Sequence, residues 1–180
     1  ARVLDYMRDI NLQKYTVLQV FIPEGGIPWM SVGYAGFLGT VTAMNERGLA
    51  IGEMGGRGEG QWDGTPMTFL MREVAEKAET VDQALEIMRR LPRSCEYYYV
   101  ISDAKRNMVG VYATPETFQV LQPGQQDPRL PNVPQDTVLM SAGGRAKALS
   151  ERLQANFGKI TPEVMIDIIK RPVAMRSNLH

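Results

Sequence analysis

Residues 43–49 read AMNERGL, with four turn-forming residues, Asn45 to Gly48, between the apolar runs 38–44 and 49–53. A turn of this kind between two apolar runs predicts a β-hairpin. Runs rich in β-branched and aromatic residues lie upstream at 15–22 and 29–34, and they read as further strands. The first part of the chain is therefore predicted to be an antiparallel meander of four or five strands.

A pair of helices is predicted next. Thr65 can cap a helix that has Pro66 in its first position, and apolar residues then recur near helical spacing as far as Ala78. A second helix is predicted from the capping-box pattern TVDQ at residues 80–83 to Pro92.

A second meander is predicted after the helices, in the part of the chain that follows Cys95. The proline-rich segment 122–135 indicates a surface loop. This order of elements predicts an α+β fold in one domain, residues 1–180, in which the two meanders form two antiparallel sheets stacked face to face with helices outside. The expected strands are 97–102, 108–113, 118–121 and 138–140, and the expected final helices are 145–156 and 162–170.

Composition excludes several classes of partner. The 180 residues include 20 basic and 20 acidic side chains, so no net positive field exists to bind nucleic acid or an anionic membrane. No apolar run approaches the roughly 20 residues that span a bilayer. The single cysteine and single histidine exclude an internal disulfide and a closed Cys/His zinc site. We expect no metal, and a cytoplasmic location by default. Because the sequence opens at Ala1 without a leader and stops at His180 just after a helix, we also expect residues to be missing at both ends.

Four segments together resemble the N-terminal-nucleophile hydrolase superfamily, and in particular its choloylglycine hydrolases and penicillin acyltransferases. They are RVLDY at 2–6, which is similar to the family's Arg-x-x-Asp, AMNERGL at 43–49, YYVISD at 98–103 and SAGGR at 141–145. The run GEMGG at 52–56 is most similar to that of the bacterial acyltransferase-like members. The resemblance implies an αββα sandwich, truncated here at both ends.

The resemblance also implies a reaction, the hydrolysis or transfer of an acyl group at a linear C–N bond. In the family, a cysteine exposed by autocleavage attacks the amide carbonyl, and its own α-amine carries the proton, so no cofactor is needed. Asp5 would orient that amine, and Arg2 would lie against the thiolate and lower the thiol pKa. Since the family's cysteine precedes the Arg-x-x-Asp segment, we expect the nucleophile to be absent from this chain, which would then be inactive as given. The implied substrate is a small acyl amide or acyl thioester.

The remaining site residues also follow from the resemblance. Gly55 and Gly56 could offer backbone N–H groups to an oxyanion, because glycine leaves no side chain in the way. Ser141 stands nearest to an asparagine of the family, and Arg145 matches a later arginine if the intervening loop is shorter here. Trp62 is expected to contribute to a wall of the substrate pocket.

Other interpretations stay open. Arg2 and Asp5 could form a surface ion pair, and the glycine run 55–60 could cradle a phosphate, although it lacks the Lys-Ser/Thr that such loops carry. Cys95 and His180 could form a thiol–imidazole pair, although a cysteine before an aromatic strand is more often a buried hydrophobe. The chain could also be a non-catalytic module that binds an acylated ligand, or it could pair with a second copy through an open sheet edge as a homo-oligomer.

Overall fold

The computed structural model describes residues 1–4, 10–130, 133–141, 143–171 and 173. Within these ranges seven antiparallel strands form one sheet in chain order. The strands are β1 Thr16–Phe21, β2 Trp29–Tyr34, β3 Thr42–Asn45, β4 Ala50–Gly55, β5 Tyr97–Ser102, β6 Met108–Ala113 and β7 Phe118–Leu121. The helices are α1 Met67–Lys77, α2 Val81–Arg90, α3 Gly143–Ala155 and α4 Pro162–Ile169. None of these helices is long and apolar enough to cross a bilayer.

The predicted α+β class with antiparallel strands is confirmed, and the arrangement of the two meanders differs from the expectation. The helices α1 and α2 lie between β4 and β5 in the chain. After α2, the chain returns to the edge of β4 that is not paired with β3. There β4 pairs with β5 from Ala50↔Ser102 to Gly55↔Tyr97. The meanders are thus joined edge to edge in the described part of the chain, where the sequence led us to expect two stacked sheets.

Two local predictions are wrong. Residues 138–140 are not a strand, because this segment lies across β6 over Gly110, where the absence of a side chain leaves room for Val138 and Met140. Thr65 does not cap α1, which begins at Met67 without a side-chain cap. The backbone of Thr65 is instead bound to the segment after α2, since its N–H donates to the Pro92 carbonyl at 2.9 Å.

One face of the sheet packs against α1 and α2 and forms the main core. Alternate residues of the strands point to this face, as the period of two in a strand requires. The apolar residues of α1 recur at helical spacing and meet them. The buried residues of this core include Trp29, Ile51, Tyr99, Ile101, Val111, Leu70, Met71, Val74 and Met88.

Asn45, in the AMNERGL hairpin, ties the sheet to the end of α1. Its amide nitrogen donates to the carbonyls of Ala75 and Ala78 at 3.0 and 2.7 Å. Its amide oxygen accepts from the N–H groups of Arg47 and Leu49 at 3.1 and 3.0 Å. The motif is therefore a structural connection between the hairpin and the helix, because helix-end carbonyls need partners when they are buried.

Asp103, directly after β5, makes the corresponding connection to α2. Its carboxylate accepts from the N–H of Val81 at 3.1 Å, where the helix dipole favours a negative charge. It also accepts from the N–H groups of Lys105 and Asn107 at 2.9 and 3.1 Å. Burial alone would raise the pKa of Asp103, but these hydrogen bonds and that of the Asn107 side chain outweigh it and hold the pKa below its usual value.

Among the described residues, none covers the opposite face of the sheet along its first three strands. Five large apolar side chains are exposed there, Leu18, Val20, Met30, Val32 and Met44, at 64, 64, 44, 42 and 52%. Farther along the sheet, the segment 138–140 and Leu130 cover this face. The described residues therefore form an open apolar surface on one face of the sheet and a closed core on the other.

Candidate functional site

A cavity of about 720 Å³ lies along the uncovered face, where Met30 and Val32 contribute to its wall. The wall continues to the N-terminal segment, to the end of β4 and to the start of α3. Of the predicted site residues, Arg2, Gly55, Ser141 and Arg145 all line this cavity. Segments more than fifty residues apart in sequence thus meet at one concave surface.

Arg2 is held at the cavity wall by polar contacts. One guanidinium nitrogen donates to the Val41 carbonyl at 2.8 Å, and the other donates to Glu53 Oε1 at 2.9 Å. The arginine side chain is 18% exposed and the glutamate side chain is 6% exposed. Gly52 makes the approach possible, because a Cβ at that position would lie 2.8 Å from Arg2 Cδ. Arg2 therefore lies at the wall of the cleft, where it pairs with Glu53.

Glu53 is a site residue that sequence reasoning missed. Burial raises the pKa of its carboxyl group, and the charge of Arg2 opposes that rise. Two opposite charges attract more strongly where water is excluded, and each would be costly to bury alone. The signal in the sequence was an acidic residue inside the otherwise apolar strand 50–55, within the GEMGG motif.

Gly55 faces open space, whereas Gly56 does not. Strand β3 pairs with β4 only from Met44↔Ala50 to Thr42↔Gly52, so within the described residues the end of β4 has no strand on that side. A Cβ at Gly55 would meet nothing within 4 Å. Backbone groups at such an unpaired edge can bind a ligand. The N–H of Gly56, in contrast, already donates to the Glu96 carbonyl at 2.9 Å.

The other predicted residues lie away from the cavity or outside the described ranges. Trp62 is 67% exposed on the glycine-rich loop and does not line the cavity. Cys95 is buried and does not line the cavity either, and its Sγ donates to the Gln61 carbonyl at 3.5 Å. Asp5 and His180 are outside the residues that the structure describes.

A family model described as acyl-coenzyme A:6-aminopenicillanic acid acyl-transferase matches residues 5–122. The chain belongs to this family. The matched part of the acyl-transferase-family domain contains the whole seven-stranded sheet with α1 and α2. The resemblance to the N-terminal-nucleophile superfamily that the four sequence segments indicated is thereby confirmed.

Comparisons with individual proteins are consistent with this assignment. Protein dcd1A of Dictyostelium discoideum is 29% identical in an alignment of 118 residues, which covers 59% of this chain and 26% of that protein. The chain thus spans about a quarter of that relative. The N-acylethanolamine-hydrolyzing acid amidase ortholog of Caenorhabditis elegans superposes with a TM-score of 0.77 at 16% identity, over 99% of this chain and 82% of that one.

A variant of conjugated bile acid hydrolase from Clostridium perfringens superposes with a TM-score of 0.53 at 15% identity, over 79% of this chain and 62% of that one. At such low identity these two structures establish the fold, and they leave the substrate open.

Proposed function

We propose that this chain forms the core of an amide hydrolase or acyltransferase that cleaves a linear C–N bond of a small acyl amide through a cysteine acyl-enzyme. The observation that carries the proposal is the meeting of Arg2, Glu53 and Gly55 at one cavity. A volume of about 720 Å³ is in the usual range for small-molecule sites, and its mainly apolar wall with a few polar groups is typical of them.

Arg2 is suited to stabilise a thiolate in this cavity. A guanidinium stays charged throughout the physiological pH range and has five N–H donors, so it can bind Glu53, Val41 and a further anion together. A fixed positive charge next to a thiol lowers the thiol pKa and raises the fraction of the reactive thiolate. Glu53 fixes the orientation of that charge.

The nucleophile itself is proposed to lie outside this sequence, before the Arg-x-x-Asp segment, as it does in the family that the sequence resembles. Cys95 is the one cysteine of the chain, and it is buried away from the cavity. The proposed sulfur attacks the carbonyl carbon, and a C–S bond forms as the carbonyl oxygen becomes an oxyanion. Backbone N–H groups at the open end of β4, around Gly55, would stabilise that oxyanion.

The C–N bond then breaks as the α-amine of the nucleophile gives its proton to the departing amine, with Asp5 orienting that α-amine. Water or an acceptor amine attacks the resulting thioester and releases the acyl group. Ser141 and Arg145, on the far wall, would contact the substrate. Gly56 and Trp62 have less support as site residues. The Gly56 N–H already donates to the Glu96 carbonyl, and the exposed Trp62 side chain does not line the cavity.

The test is turnover of a fluorogenic N-acyl aminocoumarin by the full-length protein, comparing Arg2→Ala with Arg47→Ala. We expect Arg2→Ala to lower kcat/KM by about 100-fold or more, as loss of one electrostatic contact to a reacting group commonly does. Arg47 is a matched control, since its contact with Glu79 is 3.4 Å long and both side chains are more than half exposed. Arg47→Ala should stay within about twofold of the parent protein.

Two results would contradict the proposal. Stoichiometric binding of an acyl amide in a calorimeter without any turnover would favour the non-catalytic binding module. Turnover that Arg2→Ala leaves unchanged would place the reaction elsewhere in the molecule.

A further inference from the structure

Strand β5 opens with three consecutive tyrosines, and the structure gives them different surroundings. Tyr97 lines the cavity together with Glu53 and Gly55. The hydroxyl of Tyr98 donates to Glu96 Oε1 at 3.2 Å, and Tyr98 does not line the cavity. Tyr99 is 2% exposed in the main core. Tyr97 is therefore the member of the run that a bound ligand would meet.

Neighbouring residues hold Tyr97 in place, and no described residue binds its hydroxyl. In the sheet Tyr97 lies directly opposite Gly55, the residue at the open end of β4. Its ring packs against that of Tyr99, with ring centroids 6.2 Å apart. Among the residues that the structure describes, its hydroxyl has no hydrogen-bond partner. The ring thus carries, at the cavity wall, a donor that no described residue engages.

Tyr97 keeps its proton at the pH values at which amide cleavage would occur. Burial, followed by the nearby Cys95 and Glu53, raises the pKa of its phenol above the ordinary value of 10.0. A neutral phenol donates one hydrogen bond. It costs little to aim such a donor at a carbonyl oxygen when the ring is already held in place.

We infer that Tyr97 is a further catalytic residue, which donates a hydrogen bond from across Gly55 to the carbonyl oxygen of the acyl amide as negative charge develops on it. This inference rests on the proposed function. It assigns a side-chain donor to the end of a strand where residues 55 and 56 are both glycines. The hydroxyl would act beside the backbone N–H groups at the end of β4.

The first measurement compares Tyr97→Phe with the full-length parent protein on an N-acyl aminocoumarin. Loss of one oxyanion donor commonly lowers kcat by about 100-fold, so we expect a loss of roughly 30- to 100-fold with KM changed less than about threefold. Tyr98→Phe is the matched control, because it removes a hydroxyl from the adjacent residue that does not line the cavity. It should stay within about twofold.

The second measurement repeats the comparison with the corresponding thioamide, whose sulfur is a weak hydrogen-bond acceptor. If Tyr97 bonds the carbonyl oxygen, the ratio of parent to Tyr97→Phe rates should fall below about fivefold on the thioamide. Misfolding of the variant would lower both rates alike, so equal losses on the two substrates would overturn the inference. A Tyr97→Phe rate within threefold of the parent on the amide would also overturn it. If the parent protein cleaves no acyl amide at all, the proposed function fails first and this inference with it.

Discussion

The helix-covered face of the sheet and the open end of β4 differ in how their polar residues are used. On the face covered by α1 and α2, Asn45 and Asp103 form hydrogen bonds with helix ends and leave the core closed. At the open end of β4, Arg2 and Glu53 form a buried ion pair that borders the cavity. Polar groups of the first kind stabilise the fold. Those of the second kind lie at the proposed site, so variants of the two regions should change different measured quantities.

Of the variants that follow, Asn45→Ala should have the largest effect. It should lower stability and should not act on the chemistry of the cavity. It removes hydrogen bonds that link the hairpin to α1 and leaves buried carbonyls without partners, at a cost of about 3 kcal/mol in the free energy of unfolding. Urea denaturation measures this. The exposed neighbour Glu46→Ala should cost under about 0.5 kcal/mol. If the two variants were equally stable, the hydrogen bonds between Asn45 and α1 would not contribute to stability.

Glu53→Gln should act on turnover. The amide keeps the shape of the carboxylate but removes the charge that orients Arg2, and a small misplacement of a reacting group can cost up to about 100-fold. We expect kcat/KM on an acyl amide to fall by about 10- to 100-fold. Glu73→Gln, which loses only an exposed contact with Lys77 on α1, serves as the control. A Glu53→Gln rate within threefold of the parent would show that Glu53 does not contribute to the reaction.

Asp103 should make the free energy of unfolding depend on pH. Because the folded-state pKa of Asp103 lies below its ordinary value of 3.8, the stabilisation is present above that pH and is lost as the pH falls through the folded-state pKa. Asp103→Asn should be less stable than the parent by about 1–2 kcal/mol at pH 7, and the gap should narrow as the pH falls below 3.8. Urea denaturation over this pH range tests the prediction, and a gap independent of pH would contradict it.

Leu18→Ala should have the smallest effect. Leu18 is 64% exposed on the uncovered face, so truncating it in the 180-residue chain should cost under about 0.5 kcal/mol. Leu49, which is 1% exposed in the core, is the matched reference, and Leu49→Ala should cost about 2–4 kcal/mol. Equal costs in a thermal or urea titration would mean that the face is covered.

Local chemistry explains which parts of the fold were predictable from sequence. The bounds of β2, β5, β6 and β7 were predicted correctly, because turn residues and apolar alternation are both local signals. The cap of α2 was also predicted correctly, since the Thr80 side chain accepts from the Gln83 N–H. The β4–β5 pairing was not predicted, because it joins strands separated by both helices, and hydrophobic pattern alone does not say which strand edges meet.

The same limit applies to the site. The family resemblance selected Arg2, Gly55, Ser141 and Arg145, which the structure brings to one cavity, and their catalytic roles remain predictions. Glu53 was missed because its partner lies 51 residues away in sequence. The Gly56 N–H donates to the carbonyl of Glu96, which pattern reasoning could not place beside it.

Mass spectrometry of the full-length protein, quenched during turnover of an acyl amide, tests the central claim most directly. The account predicts one acyl group attached to a cysteine other than Cys95, and loss of that adduct in Arg2→Ala. An acyl group on Cys95 would contradict the account. Turnover without any covalent adduct, under quench conditions in which a thioester is stable, would also contradict it.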